Sequence, residues 1–215
     1  MDGVAPDGSP VEVCRSLPVQ PDLDRLLAAL PAGCSVLDLG TGVGRLANPL
    51  AAAGYDVVAV DESAEMLAHV IGAERVRADI WSLDLGRRFH GVLALSHLVN
   101  SRSRSRRIQL LDVCRRHLQD DGVLIVQRYS PEWSPAERSS TIGRVAIRLH
   151  DVVLHVEGFS AAVTYTVGVQ SWTQRFDAMI VDDDELAALA AATGFTVRGN
   201  LDVEGVWVVL APFIA

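Results

Sequence analysis

Short apolar runs alternate with stretches of helical periodicity through the first 130 residues. The apolar runs have the length and the valine-rich composition of buried strands, and the stretches between them repeat apolar positions every three to four residues. Strands that alternate with helices in this way are joined by parallel crossovers. The pattern predicts helices at 21–30, 45–53, 63–71 and 108–118, and strands at 35–39, 56–60, 75–78, 91–95 and 123–127.

The periodicity changes after Trp133. Long alternating stretches at 144–157, 161–168 and 171–181 follow a Ser- and Pro-rich loop, and they predict an antiparallel meander. A helix at 183–193 and two strands at 195–199 and 205–212 complete the pattern. We therefore predict an α/β fold, a Rossmann-like, doubly wound, seven-stranded and mostly parallel sheet with an antiparallel β cap inserted after strand five. One domain would span 1–215, with a lead-in and helix at 1–30, a core at 31–133, the cap at 142–181 and the final elements at 182–215.

Composition narrows the class of protein. The chain has 215 residues, 49% of them apolar, and a net charge of −8, which disfavours nucleic acid as a partner. It contains no lysine, which excludes a Schiff-base or Walker A lysine. The three cysteines form no CxxC pair, and we find neither a signal peptide nor an apolar run long enough to span a membrane. We expect a cytoplasmic protein without membrane or metal partners, and a homodimer stays open.

The strongest motif joins the first strand to the next helix. Asp38 precedes a GxGxG turn formed by Gly40, Gly42 and Gly44, and glycines allow a sharp turn and a close approach to a ligand. Asp61 ends the second strand, where a carboxylate can accept hydrogen bonds from both hydroxyls of a ribose. Asp79 follows the third strand beside apolar residues and suits an adenine amine. Residues of these types at the ends of three successive strands predict a nucleoside site.

Three segments carry a resemblance to a known family: VLDLGTGVGRL at 36–46, VVAVDESAEML at 57–67 and ADIWSL at 78–83. With GVLALSHLVN at 91–100 and DDGVLIVQRY at 120–129, the sequence resembles the class I S-adenosylmethionine-dependent methyltransferases, of the bacterial small-molecule type, over about residues 30–130. One departure is Thr41, where many members carry cysteine. The rival dinucleotide motif GxGxxG would require glycine at position 45, where Arg45 stands.

The resemblance implies S-adenosyl-L-methionine as cofactor and assigns its parts to particular residues. The glycine turn with Asp38 would surround the methionine part, and Asp61 would hold the ribose. Glu62, Met66, Asp79 and Ile80 would lie around the adenine. Leu95 and Ser96 would face the sulfonium.

Polar residues after strands four and five are candidates for the reaction itself. His97 is placed to act as a general base, or simply closes its strand. Tyr129 is a second catalytic candidate, and Asn100, Arg128 and Glu132 are candidates for substrate binding. The alternative for these four is a role in capping or in surface hydrogen bonds.

The predicted function is methyl transfer to an oxygen, nitrogen or carbon of a small-molecule acceptor. Two alternatives remain open, a non-methylating reaction of the same cofactor, such as a cyclisation or rearrangement, and a cofactor-binding interaction module. The basic run at 101–107 is either an anion site or a solvated loop, and the loop is the more common case.

Overall fold

A computed structural model describes residues 3–213 of the chain, which form a seven-stranded sheet, a separate four-stranded sheet and six α-helices. The predicted α/β fold with an antiparallel cap after strand five is confirmed. None of the helices in this part of the chain is long and apolar enough to cross a membrane. The strands are β1 (Ser35–Leu39), β2 (Asp56–Asp61), β3 (Glu74–Arg77), β4 (Phe89–Ala94), β5 (Leu118–Gln127), β6 (Arg138–Ile142), β7 (Val145–Leu154), β8 (Phe159–Val167), β9 (Gln170–Ala178), β10 (Phe195–Asn200) and β11 (Trp207–Pro212). The helices are α1 (Val11–Ser16), α2 (Asp22–Ala29), α3 (Ala47–Ala52), α4 (Ala64–Leu67), α5 (Arg104–His117) and α6 (Asp183–Ala192), and a 3-10 turn covers Leu98–Asn100.

The large sheet has the strand order β3-β2-β1-β4-β5-β11-β10. Strands β1 to β5 are parallel, and β11 runs antiparallel to both of its neighbours. The order reverses beside β1, which pairs with β2 on one side and β4 on the other, and a crevice at the carboxyl ends of strands is the usual ligand site of such sheets. The register sets Leu39 opposite Val60 and Ala94, so the three strands end together.

Helices cover both faces of the large sheet because its central strands are apolar on both sides. One core contains Leu110 and Cys114 of α5 with Leu189 of α6, and the other contains Leu26 of α2 with Leu50 of α3. Nearly continuous apolar strands are the expected sequence of a parallel sheet covered twice.

The four-stranded cap contains one more strand than the alternating pattern predicts. Strand β6 pairs antiparallel with β7, and all five of its residues are exposed, so no apolar alternation identifies it in the sequence. The inner face of the cap packs Leu149, Phe159 and Val163 against Tyr129 and Trp133 from the segment after β5. The cap therefore covers the carboxyl edge of the large sheet.

Two helices differ from their predicted bounds by more than two residues. Helix α4 has four residues, because the chain after it is held by Asn48, which donates to the His69 carbonyl and accepts the Ile71 amide. Helix α5 begins at Arg104, because Ser103 caps it by accepting the Arg106 amide, so most of the basic run is helical.

A buried arginine joins the end of β5 to the segments around it. Arg128 is 1% exposed, and it donates to the carbonyls of Gly205 and Val181 at 2.9 Å each and to the Asp183 carboxylate. These contacts connect β5 with the loop before β11 and with the start of α6. Buried carbonyls without a donor are costly, so the arginine stabilises this junction.

We expect Arg128→Ala to lower the free energy of unfolding by about 3 kcal/mol, because two buried carbonyls lose their donor and a cavity is left. Asp183→Ala should cost much less, since this carboxylate is 80% exposed. Urea unfolding followed by circular dichroism measures both variants. Equal losses in the two variants would show that the ion pair, and not the carbonyl contacts, stabilises the junction.

Candidate active site

The glycine turn after β1 adopts the backbone that its sequence predicts. Gly40, Gly42 and Gly44 have φ angles of +69°, +57° and +75°, a region that residues with a Cβ rarely enter. A Cβ at Gly44 would lie 2.5 Å from the Asn48 side chain, whereas at Gly42 its nearest neighbour would be the Met66 sulfur at 4.0 Å. Gly44 is therefore required for packing, and Gly42 leaves room beside Met66.

The Asp61 carboxylate connects the ends of β1 and β2. One oxygen accepts the Gly42 amide at 2.8 Å, and the other accepts the Ser63 amide at 2.9 Å. Each carboxylate oxygen has a second lone pair, so both remain able to accept from another donor. A fixed turn therefore lies beside a carboxylate that is able to accept hydrogen bonds from both hydroxyls of a vicinal diol.

Asp38 lies buried under the same turn. Its carboxylate accepts the Thr41 hydroxyl at 2.6 Å. Burial raises the pKa of Asp38 to about 6, and the Thr41 hydrogen bond and the positive charge of Arg45 oppose that rise. A cation brought next to Asp38 would lower this pKa, because it favours the ionised carboxylate.

The residues expected around an adenine lie just after β2, in α4 and just after β3. Met66 and Ile80 are buried, and Glu62 and Asp79 are exposed. Asp79 accepts the Trp81 amide at 3.0 Å, and Trp81 in turn lies under the Arg106 guanidinium at 4.9 Å. Arg106 of α5 thus contacts the loop after β3. The sequence of the basic run alone does not predict that contact.

The turn that follows β4 contains two residues with a strained backbone. Ser96 and His97 have φ angles of +54° and +62°, and Leu95 before them is buried. The Gln127 side chain accepts the Ser96 amide at 2.8 Å and so holds the turn from the end of β5. Non-glycine residues in this region cost of order 1–3 kcal/mol each, and such strain is concentrated at functional sites.

The turn places the His97 ring flat against Tyr129. The two ring centroids are 4.2 Å apart, and Tyr129 stacks in turn on Trp133 at 4.8 Å. The Nδ1 atom of His97 is buried and has no hydrogen-bond partner among residues 3–213. Burial lowers the pKa of His97 to about 4, against a small opposing effect of the Arg128 backbone, so the ring is neutral at physiological pH.

Two residues beside this stack carry no recognisable sequence motif. Tyr165 of β8 lies on the inner face of the cap, and Cys14 lies on α1. Burial raises the pKa of Tyr165 to about 12, and the proximity of Cys14 and Asp7 adds to the rise. Burial also raises the pKa of Tyr129, and Tyr165 adds to it. Only pairing of the amino-terminal segment with the cap brings these residues together.

The residues expected to contact a substrate differ in their burial and in their hydrogen bonds. Asn100 is buried, donates to the Met179 carbonyl at 2.8 Å and accepts the Tyr129 amide at 3.1 Å. Arg128 is used by the junction described above. Glu132 is exposed after β5. The structure therefore gives Asn100 and Arg128 structural partners, and their substrate contacts stay predictions.

Comparison with known proteins agrees with this geometry. Residues 36–122 match the family model described as a methyltransferase domain. No curated protein matches the sequence.

Solved structures share the fold over nearly the whole chain. The CcbJ methyltransferase from Streptomyces caelestis is 23% identical, with a TM-score of 0.71 over 94% of this chain and 92% of that one. The sugar N-methyltransferase KedS8 from Streptoalloteichus sp. is 20% identical, with a TM-score of 0.70 over 90% and 87%. The amino pentose methyltransferase CalS10 from Micromonospora echinaspora, solved with S-adenosylmethionine bound, is 20% identical, with a TM-score of 0.69 over 91% and 90%.

We expect the His97 imidazole to titrate with an apparent pKa near 4 in an NMR experiment. His97→Gln identifies the resonance by its disappearance. Because the folded pKa lies below the unfolded value, the neutral ring favours the folded state fully above about pH 6.5, and this contribution is lost as the pH falls toward 4. An apparent pKa above 6 would contradict the burial of an unpaired Nδ1 atom.

Proposed function

We propose that this chain, whose residues 36–122 match a methyltransferase domain, is a class I S-adenosylmethionine-dependent methyltransferase that transfers a methyl group to a nitrogen, oxygen or carbon atom of a small-molecule acceptor. One pair of observations supports the proposal most directly. Asp61 holds the glycine turn through a hydrogen bond, and the Nδ1 atom of His97, beyond the end of the adjacent strand, has no hydrogen-bond partner. The proposed nucleoside site and a group able to accept a proton thus lie at one edge of the sheet.

The residues present fit the cofactor. Asp61 retains an acceptor lone pair on each oxygen for the ribose hydroxyls. Gly42 leaves space beside Met66 because it has no side chain. Asp38 is positioned to balance the ammonium group of the methionine part, which would favour its ionised form. Asp79 is exposed and able to accept from the adenine amine, and Ile80 offers an apolar surface beside it.

S-adenosylmethionine, when bound, supplies a methyl group activated by a sulfonium. The chain's own residues then have to align the acceptor and exclude water. The cap and the aromatic stack form an apolar wall above the carboxyl edge, and Leu95 and Ser96 lie where β4 reaches it. Alignment by this wall accounts for most of what the protein contributes to such a transfer.

We assign His97 the role of proton acceptor. Its ring is held in place by stacking on Tyr129, and Nδ1 has no protein partner to compete with an acceptor's proton. A neutral imidazole is in the correct protonation state to accept a proton, although a pKa near 4 makes it a weak base. The Tyr129 hydroxyl stays protonated, because its pKa is raised, and so contributes a hydrogen bond donor.

Small acceptors agree with the substrates named for the structural relatives. KedS8 is a sugar N-methyltransferase, and CalS10 is an amino pentose methyltransferase. Amino sugars and phenols are therefore the first acceptors to assay.

We expect Asp61→Ala to weaken the binding of S-adenosylmethionine by roughly a hundredfold, because two charge-assisted hydrogen bonds to the ribose are lost. Isothermal titration calorimetry measures the affinity. Asp84→Ala is the matched control, since Asp84 also accepts the backbone amide two residues on but lies in an exposed turn away from the site. Unchanged affinity in Asp61→Ala would reject the ribose assignment.

Methyl transfer itself is tested with a tritiated methyl group and a panel of amino sugars, phenols and amino acids. We expect label in an acceptor, and we expect His97→Gln to lower turnover by on the order of a hundredfold while cofactor affinity is retained. Cofactor consumption that leaves every acceptor unlabelled, with the label retained in a sulfur-containing product of the cofactor, would instead support non-methylating chemistry. Tight cofactor binding without any turnover would support an interaction module.

A further inference from the structure

The amino-terminal segment at residues 3–18, which we call the strap, is ordered by its own hydrogen bonds. Val4 and Pro10 form an antiparallel bridge, and Ala5 donates to the Ser9 carbonyl at 2.9 Å. The Asp7 carboxylate accepts both the amide and the hydroxyl of Ser9, at 3.0 and 2.7 Å. The strap therefore enters α1 as a defined turn.

One side of the strap packs on the glycine turn. Ala5 and Val11 form a small buried cluster with Val43, which stands between two glycines of the turn, and with Met66. The strap thus contacts the two apolar side chains that flank Gly42. It covers the side of the crevice that neither β2 nor β4 closes.

The other side of the strap reaches the cap. The Gln174 amide of β9 donates to the Asp7 carbonyl at 2.8 Å and lies 3.4 Å from the Ser9 hydroxyl. Arg144 of the β6–β7 turn pairs with Glu12 of α1 at 3.2 Å. One short segment therefore connects the cap to the glycine turn.

The carboxyl end of the strap is fixed on the same turn. Arg45, the residue directly after Gly44, donates to the Pro18 carbonyl at 2.8 Å and pairs with Asp22 at 2.9 Å. The strap is thus anchored at Pro18, and elsewhere it is held by the Gln174 and Arg144 contacts with the cap and by its buried side chains. Its buried cluster has four members, far fewer than either core of the sheet, so it is the part expected to open at low cost.

Cys14 marks the position of the strap relative to the site. Its thiol is largely buried, and Asp7, Asp61 and Tyr165 all lie close enough to interact with it electrostatically. Burial raises the pKa of Cys14 to about 11, and the two carboxylates add to the rise. Cys14 packs against the buried cluster that joins the strap to the glycine turn, so its thiol reports whether the strap is closed.

We propose that the strap forms an outer wall of the cofactor site and opens about its Arg45 anchor for cofactor exchange, so that its contact with Gln174 couples cofactor occupancy to closure of the cap. This inference rests on the proposed function. It assigns a cofactor-retaining role to residues 3–18, which contain none of the motifs of the nucleoside site.

Thiol labelling tests whether the strap forms a wall of the cofactor site. We expect saturating S-adenosylhomocysteine to slow the reaction of Cys14 with N-ethylmaleimide at least tenfold, because the closed strap keeps the thiol buried and protonated. Peptide mass spectrometry distinguishes the three cysteines. Cys34 serves as the control for reagent activity, and Cys114, fully buried in the core, reports global unfolding. Equal Cys14 labelling rates with and without bound nucleoside would overturn the proposal.

A variant of the cap tests the coupling. Gln174→Ala should raise Cys14 labelling severalfold in the cofactor-free protein and speed the dissociation of tritiated S-adenosylmethionine in a chase experiment. Thr173→Ala is the matched control, because Thr173 is exposed on the opposite face of the same strand and contacts Thr164 instead. An unchanged dissociation rate in Gln174→Ala would refute the coupling.

The two proposals fail in different ways. If calorimetry detects no cofactor binding by the wild type, the proposed function fails, and Cys14 labelling of cofactor-free Gln174→Ala still decides whether Gln174 holds the strap closed. If the cofactor binds but neither labelling nor dissociation responds, the function stands and the strap proposal is rejected.

Discussion

The hydrogen bonds of Asp61 to the amides of Gly42 and Ser63 are the constraint on which the site depends. They fix a turn whose glycines all have positive φ to the end of the neighbouring strand. A flexible glycine turn would lose conformational entropy each time it closed on a ligand. Because the Asp61 carboxylate already holds the turn in one conformation, ligand binding does not have to order it. Each oxygen also keeps a lone pair for a further donor.

The reaction centre depends on the cap in a second, longer-range way. Tyr129 supports the His97 ring, and Trp133 and Phe159 support Tyr129, so the imidazole is positioned from the inner face of the cap. Asn100 adds a polar connection, because its amide spans the Tyr129 backbone and the segment after β9. Displacement of the cap would therefore change both the volume available to an acceptor and the orientation of the ring.

Periodicity was sufficient to predict β1, β2, β4 and the carboxyl-terminal half of β5, because these are mostly buried apolar runs bounded by turn residues. Strand β3 is largely exposed and was placed by the alternation of strands and helices around it. It missed β6, whose side chains are all exposed, and it extended α4, because no local signal announces the Asn48 contacts that end it. The glycine turn and Asp61 were predictable from their spacing. The roles of Arg128, Tyr165 and Cys14 were not, since each depends on partners far away in sequence that only the folded cap and strap supply.

Electrostatics explain why a half-buried, neutral histidine suits the role proposed for His97. A charged imidazole beside a sulfonium would repel it, and the low interior dielectric would make that repulsion large. Burial keeps His97 neutral and so avoids the repulsion, at the expense of basicity. Such a base is effective when the acceptor loses its proton late, after the new bond has placed positive charge on the attacking atom. That requirement favours an amine that enters uncharged over an alcohol that must be ionised first, and it makes amino acceptors the better match to this site.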